Sequence, residues 1–139
     1  MSTLDSENKQ NENKIVSGPK MVMYILINTD LEMDKGKIAS QTAHVAQVIT
    51  EEIIRSVYET RPVPDYYFRY YKWKNGGPIG TKIVLKATES QLLELIKMDE
   101  SRYIIDNGPT TQVKSGSLTC VGFFPTDKLT DTFKDYKLL

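Results

Sequence analysis

The sequence predicts an α/β protein with helices on both faces of a small mixed sheet, and three observations support this prediction. An uninterrupted apolar run, MVMYILIN at 21–28, is typical of a strand that is buried on both faces. Strand-like and helix-like segments alternate in the order β-α-(α)-β-α-β-β-α. The chain has 139 residues, which is enough for one domain with an adequate core.

The first half of the chain is organised around one long predicted helix. A polar loop at 29–36 follows the first strand, and the helix is expected over 37–59. RPVP at 61–64 ends it, because proline removes a backbone donor and restricts the residue before it. Its aliphatic face is formed by Ile38, Val45, Ile49, Ile53 and Val57, beside the small residues Ala39, Ala43 and Ala46. We expect these alanines to let the helix lie close to the sheet.

The second half supplies three more strands and two helices. Strands are predicted at 81–87, 102–106 and 118–124. A helix is expected over 88–98, with Thr88 or Ser90 as its N-cap. A short helix is expected within 125–136, with Pro125 at its start. Because ligands gather beyond the carboxyl ends of strands in such sheets, the loops at 29–36 and 106–116 are the predicted site.

The N-terminal stretch differs in composition from the rest of the chain. Residues 1–20 are polar and of mixed charge, which predicts a disordered tail before a domain at 21–139. The tail has no apolar core of the kind found in signal peptides. No apolar run approaches the roughly 18 residues that a membrane span needs, so no contact with a membrane is expected.

Charge and cysteine content exclude several classes of protein. Lys and Arg number 18, and Asp and Glu also number 18, so RNA binding would need a local basic patch on a neutral protein. One cysteine and one histidine argue against a disulfide framework within the chain and against a Cys- or His-rich metal site. This composition fits a reducing compartment, and we expect the cytoplasm.

Lys35-Gly36-Lys37, at the start of the long helix, is the first candidate site. Positive charge there opposes the helix dipole. The lysines are either solvated loop charge or part of an anion site, in which backbone N–H groups and an ammonium meet a phosphate or an oxyanion. Gln41 and His44 share a face with Lys37 by spacing, opposite the aliphatic stripe. They are either ordinary polar helix residues or part of the same site.

Asp106 is the second candidate, since it stands at the end of an apolar strand. It is either a turn aspartate before Asn-Gly or a carboxylate that orients water or pairs with a lysine. The segment DYYFRYYKWK at 65–74 holds six aromatic residues. These could stack on nucleic-acid bases, but aromatic residues at helical spacing favour packing against the core.

Two motif blocks, in this order, resemble the peptidyl-tRNA hydrolase 2 family, the archaeal and eukaryotic type. They are NTDLEMDKGKIASQTAH, from 28, and DNGPTTQVKSGSLTCVGF, from 106, with KIVLKA between them and KLL at the end. The resemblance extends over 21–139. It implies a three-layer α/β/α sandwich on a four-stranded mixed sheet, and hydrolysis of the ester bond between a peptide and its tRNA. It also implies that no metal or organic cofactor is needed and that the chain forms a homodimer.

The resemblance also implies roles for individual residues. The catalytic set would be Lys37, Asp106, Thr111 and Thr119. Asp106 would orient Lys37 and a water, Lys37 would supply positive charge to the oxyanion or to a phosphate, and the threonines would bond the water or the peptide carbonyl. The cleft and the RNA contacts would be supplied by Gln41, His44, Lys35, Gly36 and Lys114, with Arg69 or Lys72 as further phosphate contacts.

The chain also departs from the family pattern. Asn28 stands where the family usually has arginine, and Ser115-Gly116 replaces Pro-Gly. Three residues separate Gly108 from Gln112 where the family usually has two, so either Thr110 or Thr111 could be the site threonine. Two other functions stay open: a family member that binds tRNA or protein with weak or no turnover, and a general acyl-ester hydrolase. The second lacks a G-x-S-x-G motif.

Overall fold

The computed structural model describes residues 20–77, 79–108 and 113–139. The tail predicted for residues 1–20 therefore lies, except for Lys20, outside the described residues. Across the described ranges, no helix is both long enough and apolar enough to span a membrane.

Four strands form one mixed sheet, as predicted. They are β1 (Met23–Asn28), β2 (Lys82–Ala87), β3 (Ser101–Asp106) and β4 (Ser117–Phe123), in the spatial order β2-β1-β4-β3. β1 is parallel to β2 and antiparallel to β4, and β4 is antiparallel to β3. All six residues of β1 are buried, which confirms that its apolar run is a strand covered on both faces.

Helices cover both faces of the sheet and complete a three-layer α/β/α sandwich. Helices α1 (Lys35–Glu59) and α2 (Asp65–Asn75) pack on one face, and α3 (Glu89–Leu95) and α4 (Thr130–Phe133) pack on the other. Two separate apolar clusters result, one on each face. The predicted fold class and element order are therefore confirmed.

The sequence predicts that α1 begins at residue 37, which is two residues later than its start in the structure. The helix begins at Lys35, and Asp34 is its N-cap, whose carboxylate accepts a hydrogen bond of 2.8 Å from the Lys37 backbone N–H. A capping carboxylate supplies the negative charge that the helix N-terminus favours. Both lysines therefore lie in the first turn of the helix.

Close packing of α1 on the sheet depends on a glycine of the sheet and on only one of the three alanines of the helix. Ala39 and Ala43 are exposed, so the expectation was wrong for these two, whereas Ala46 is partly buried and packs against the apolar cluster on this face. Gly122 of β4 faces α1 instead, where an added Cβ would lie 2.9 Å from both the Ile49 Cδ1 atom and a Val45 methyl group. The missing side chain on β4 is what allows the helix to approach.

The aromatic segment forms α2 and packs on the sheet, which confirms the packing interpretation. Trp73 is buried, and its indole N–H donates a hydrogen bond of 2.7 Å to the Thr81 carbonyl. Tyr66, Tyr67 and Tyr70 pack beside it on the same apolar cluster. The ring contacts of these tyrosines are therefore used within the fold.

The remaining boundaries differ from the prediction at the chain's C-terminal end. The last helix is Thr130–Phe133, so Pro125 does not begin it. The residues after β4 instead run beside β1, through paired hydrogen bonds of 3.0 and 3.1 Å between Val22 and Thr126. Helix α3 is shorter than expected and is capped by Thr88 in a capping box.

Candidate active site

Lys37 and Asp106 meet where the first turn of α1 approaches the end of β3. The Lys37 Nζ atom donates a hydrogen bond to Asp106 Oδ2. The two side chains are only 10% and 8% exposed, so this is a largely buried ion pair. Two residues that lie 69 positions apart in sequence, and that were each a site candidate, are thus brought together.

Asp106 has both of the roles that the sequence left open. Its Oδ1 atom accepts a hydrogen bond of 3.0 Å from the Gly108 N–H, as a turn aspartate does. Its other carboxylate oxygen holds Lys37. The Gly116 N–H donates to the Asp106 carbonyl at 2.7 Å, and Gly116 has a φ of 88°, a conformation that favours glycine. The carboxylate is therefore fixed from several directions.

An irregularity in β4 supplies the next part of the site. Ile104 pairs with Cys120 and Ile105 pairs with Leu118, so Thr119 is an extra residue with no partner of its own in the ladder. A bulge of this kind re-aims side chains. Thr119 and Cys120, although adjacent, both contact α1, while Leu118 belongs to the apolar cluster on the opposite face.

Gln41 is held by this bulge. The Thr119 hydroxyl lies 2.7 Å from the Gln41 Oε1 atom and donates to it, and the Cys120 thiol is 3.5 Å from the Gln41 backbone carbonyl. Gln41 is only 4% exposed and continues the buried row that includes Val45 and Ile49. Its predicted place on a polar face with His44 was therefore wrong, because spacings of four residues put it on the side facing the sheet.

Thr119 itself is fully buried, with 0% exposure. Its hydroxyl is already bonded to Gln41, and the Ile104 carbonyl lies 3.2 Å away. This environment does not match the direct contact with water or with a peptide carbonyl that the resemblance suggested. The hydroxyl acts on a neighbouring side chain instead.

Cys120 is not a nucleophile in this fold. Burial raises the pKa of its thiol to about 12, and the hydrogen bond with Thr119 opposes that rise only in part. A thiol that stays protonated at neutral pH has little reactivity. Within the described ranges, no three His, Cys, Asp or Glu side chains lie close enough together to hold a metal ion.

Four of the remaining candidates within the described residues are exposed, unlike the ion pair. Lys35 and Gly36 are exposed in the first turn of α1, and His44 is exposed with its ring nitrogen 3.2 Å from the Ser40 hydroxyl. Lys114 is exposed and lines a depression on the α3 side of the sheet. These side chains can meet a ligand at the surface but do not share the buried pair's environment.

Three further candidate residues remain. The Arg69 guanidinium pairs with Glu100 and donates to the Pro125 carbonyl at 2.7 Å, so it is used within the fold. Thr110 and Thr111 both lie outside the described residues, and the choice between them stays open.

Asn28 is a structural residue that the sequence did not reveal. It is fully buried at the end of β1, where its side-chain amide donates to the Leu118 carbonyl at 2.9 Å and its oxygen accepts from the Asp30 N–H at 2.9 Å. These bonds connect the end of β1 to β4 just before the bulge. A polar residue beside a loop carries no signal of this role in the sequence.

Comparisons with known proteins show the family of this chain. The family model described as "Peptidyl-tRNA hydrolase PTH2" matches residues 21–139. A peptidyl-tRNA hydrolase of Thermoplasma acidophilum is 36% identical over 125 residues, which are 84% of this chain and 97% of that protein. Similar proteins of the same name occur in Sulfolobus acidocaldarius (35% identity, 86% and 100% coverage) and Sulfurisphaera tokodaii (33%, 81% and 95%). The chain therefore belongs to the peptidyl-tRNA hydrolase PTH2 family.

Proposed function

We propose that this chain hydrolyses the ester bond between peptide and tRNA in peptidyl-tRNA, and so releases free tRNA and free peptide. Family membership supports this function, since the similar proteins are named peptidyl-tRNA hydrolases. The observation that carries it is the Lys37–Asp106 pair, because it places a cation and a carboxylate together at one edge of the sheet. These are the groups that ester hydrolysis needs for charge stabilisation and for orienting water.

The reaction is attack of water on an acyl ester. The water oxygen bonds to the carbonyl carbon and the carbonyl becomes an oxyanion. The bond to the tRNA ribose oxygen then breaks, and that oxygen takes up the proton that the attacking water gives up, so the products are a free carboxylic acid and a free hydroxyl. Asp106 orients the water and holds Lys37, whose ammonium stabilises the oxyanion. A threonine hydroxyl from 110–111, for which we favour Thr111, hydrogen-bonds the water or the peptide carbonyl.

Substrate recognition rests on the tRNA end. Lys35, Gly36, His44 and Lys114 are exposed and are suited to contact phosphate or ribose groups, which would compensate for a chain of zero net charge. A cation near the helix N-terminus then has a function, because the ligand is an anion. No metal or organic cofactor takes part in this scheme.

The proposed function predicts turnover of an N-blocked aminoacyl-tRNA, which mimics peptidyl-tRNA. We expect the full chain to release N-acetyl amino acid and intact tRNA in the presence of a chelator, at a rate proportional to protein concentration. The matched control is the same tRNA mixed with heat-denatured protein. Saturable tRNA binding without release of the acyl group would contradict the function and would favour a binding protein.

We further propose that the chain is a cytoplasmic homodimer. Membership of the family supports both properties, because the resemblance implies a homodimer and the composition fits a reducing compartment. Sedimentation that returns the monomer mass of 15.9 kDa at micromolar concentration would refute the dimer. A fluorescent fusion of the chain that is found outside the cytoplasm would refute the predicted location.

A further inference from the structure

The orientation of the Gln41 side-chain amide is defined by Thr119. The Thr119 hydroxyl has one proton and two acceptors within reach, Gln41 Oε1 at 2.7 Å and the Ile104 carbonyl at 3.2 Å. The shorter contact assigns the proton to Oε1 and so turns the oxygen of the amide toward the sheet. The Nε2 atom must then point away from the bulge. Its two N–H groups therefore face the side of Gln41 that is not occupied by β4.

The Gln41 Nε2 atom reaches the surface although its residue is almost entirely buried. Across the described residues, no fully buried side-chain nitrogen or oxygen lacks a hydrogen-bond partner. The hydrogen bonds of Gln41 there involve its Oε1 atom and its backbone, and none involves Nε2. The amide nitrogen is therefore a donor at the protein surface, on a side chain with only 4% exposure.

This donor lies beside the Lys37–Asp106 pair. Gln41 follows Lys37 by one helical turn and so lies on the same side of α1. The Thr119 hydroxyl that holds it is 3.2 Å from the carbonyl of Ile104, two residues before Asp106 on β3. The amide, the ammonium and the carboxylate thus line one short stretch of the interface between α1 and β3.

We infer that Gln41 is a further catalytic residue, whose Nε2–H donates a hydrogen bond to the ester carbonyl oxygen as that atom becomes the oxyanion. Thr119 is then a positioning residue that acts only through Gln41. The inference rests on the proposed function. A prearranged donor of this kind needs no reorganisation as charge develops, and Lys37 and Gln41 together would hold the oxyanion from two directions.

The fixed orientation matters because the amide has two different ends. An amide turned the other way would present Oε1, an acceptor that repels an oxyanion. The substitution Gln41→Glu separates the two cases, since the carboxylate can still accept from Thr119 but cannot donate to the substrate. We expect Gln41→Glu to be at least as slow as Gln41→Met, which has a similar size and no hydrogen-bonding group.

The test is a double-mutant cycle on kcat for N-acetyl-aminoacyl-tRNA, with unfolding in urea measured for every variant. Gln41→Met and Thr119→Val are each expected to lower kcat about tenfold or more, with KM little changed. The double variant should be no slower than Gln41→Met alone, because Thr119 has no second route to the substrate. Thr119→Ser keeps the hydroxyl and should restore most of the rate.

Several outcomes would overturn the inference while leaving the proposed function intact. The first is a wild-type kcat in Gln41→Met or Gln41→Glu. The second is a double variant in which the two losses of kcat multiply, which would mean that Thr119 contacts the substrate itself. A wild-type chain that releases no product would overturn the proposed function, and the inference with it. The inference would also be contradicted if Thr119→Val lost activity only because it unfolds and Thr119→Ser did not restore the rate.

Discussion

Replacement of Lys37 by alanine is expected to lower the rate of ester hydrolysis about 100-fold while the protein still folds. The proposed mechanism assigns stabilisation of the oxyanion to the Lys37 ammonium, and its partner Asp106, an anion, cannot replace it. The change leaves a largely buried carboxylate with fewer partners, which should cost about 1–3 kcal/mol of unfolding free energy. Single-turnover release of the N-acetyl amino acid measures the first effect, and urea unfolding measures the second.

The matched control is Lys97→Ala, which removes the same charge from an exposed lysine paired with Glu94 on α3. It should change neither the rate nor the stability by much, because exposed pairs contribute little. A Lys37→Ala variant with a rate close to that of Lys97→Ala would remove Lys37 from the mechanism.

Asp106→Asn extends the same prediction to the other half of the pair. The amide keeps the size of the side chain but loses the charge that holds Lys37, so we expect a loss similar to that of Lys37→Ala. Because the two groups act as a unit, the double variant should be little slower than either single variant. If the losses of rate in the two single variants multiply in the double variant, the two residues have separate roles in the reaction.

Much of the fold could be predicted because it depends on local pattern. The apolar run of β1 and the aliphatic spacing of α1 each reflect burial, and both were recognised correctly. The bulge at Thr119 could not be predicted in this way, since it arises from the pairing of β4 with β3. Its effect, two adjacent side chains on one face, breaks the alternation that a strand pattern assumes.

The site shows the same division between local and long-range information. The pairing of Lys37 with Asp106 was expected from the resemblance, whereas the burial of Gln41 was missed although its spacing from Val45 and Ile49 already indicated it. The polarity of the side chain argues against burial, and the polar partner that makes burial of Gln41 acceptable lies 78 residues away. Buried polar residues are hard to find in sequence because their partners are distant.

Gly122 links the stability of this fold to the geometry of its site. An added Cβ would lie 2.9 Å from the nearest atoms of Val45 and Ile49, which is closer than real contacts allow. β4 is hydrogen-bonded to β1 on one side and to β3 on the other, so it cannot easily move. The strain of Gly122→Ala is therefore taken up on the helix side, by rotation of the Ile49 side chain and by a small displacement of α1 at Val45, whose methyl groups are attached directly to Cβ.

We expect Gly122→Ala to lower the free energy of unfolding by about 1–3 kcal/mol. The gain from restricting the unfolded chain, about 0.4–1 kcal/mol, offsets only part of this cost. Urea unfolding measures the change, and Cys120 gives a second readout. It is the only cysteine and is fully buried, so its labelling by a thiol reagent should become faster.

The loss of activity in Gly122→Ala should exceed what the loss of stability explains. Lys37 and Gln41 lie on α1, whereas Asp106 and Thr119 lie on the sheet, so a small displacement of the helix separates the two halves of the site. Gly77→Ala is the matched control, because its Cβ would meet nothing closer than 3.8 Å. Val45→Ala, which removes the contacted methyl groups, should restore stability and activity to Gly122→Ala in part. If the losses of unfolding free energy in Gly122→Ala and Val45→Ala simply add in the double variant, the contact between Gly122 and Val45 does not set the position of α1.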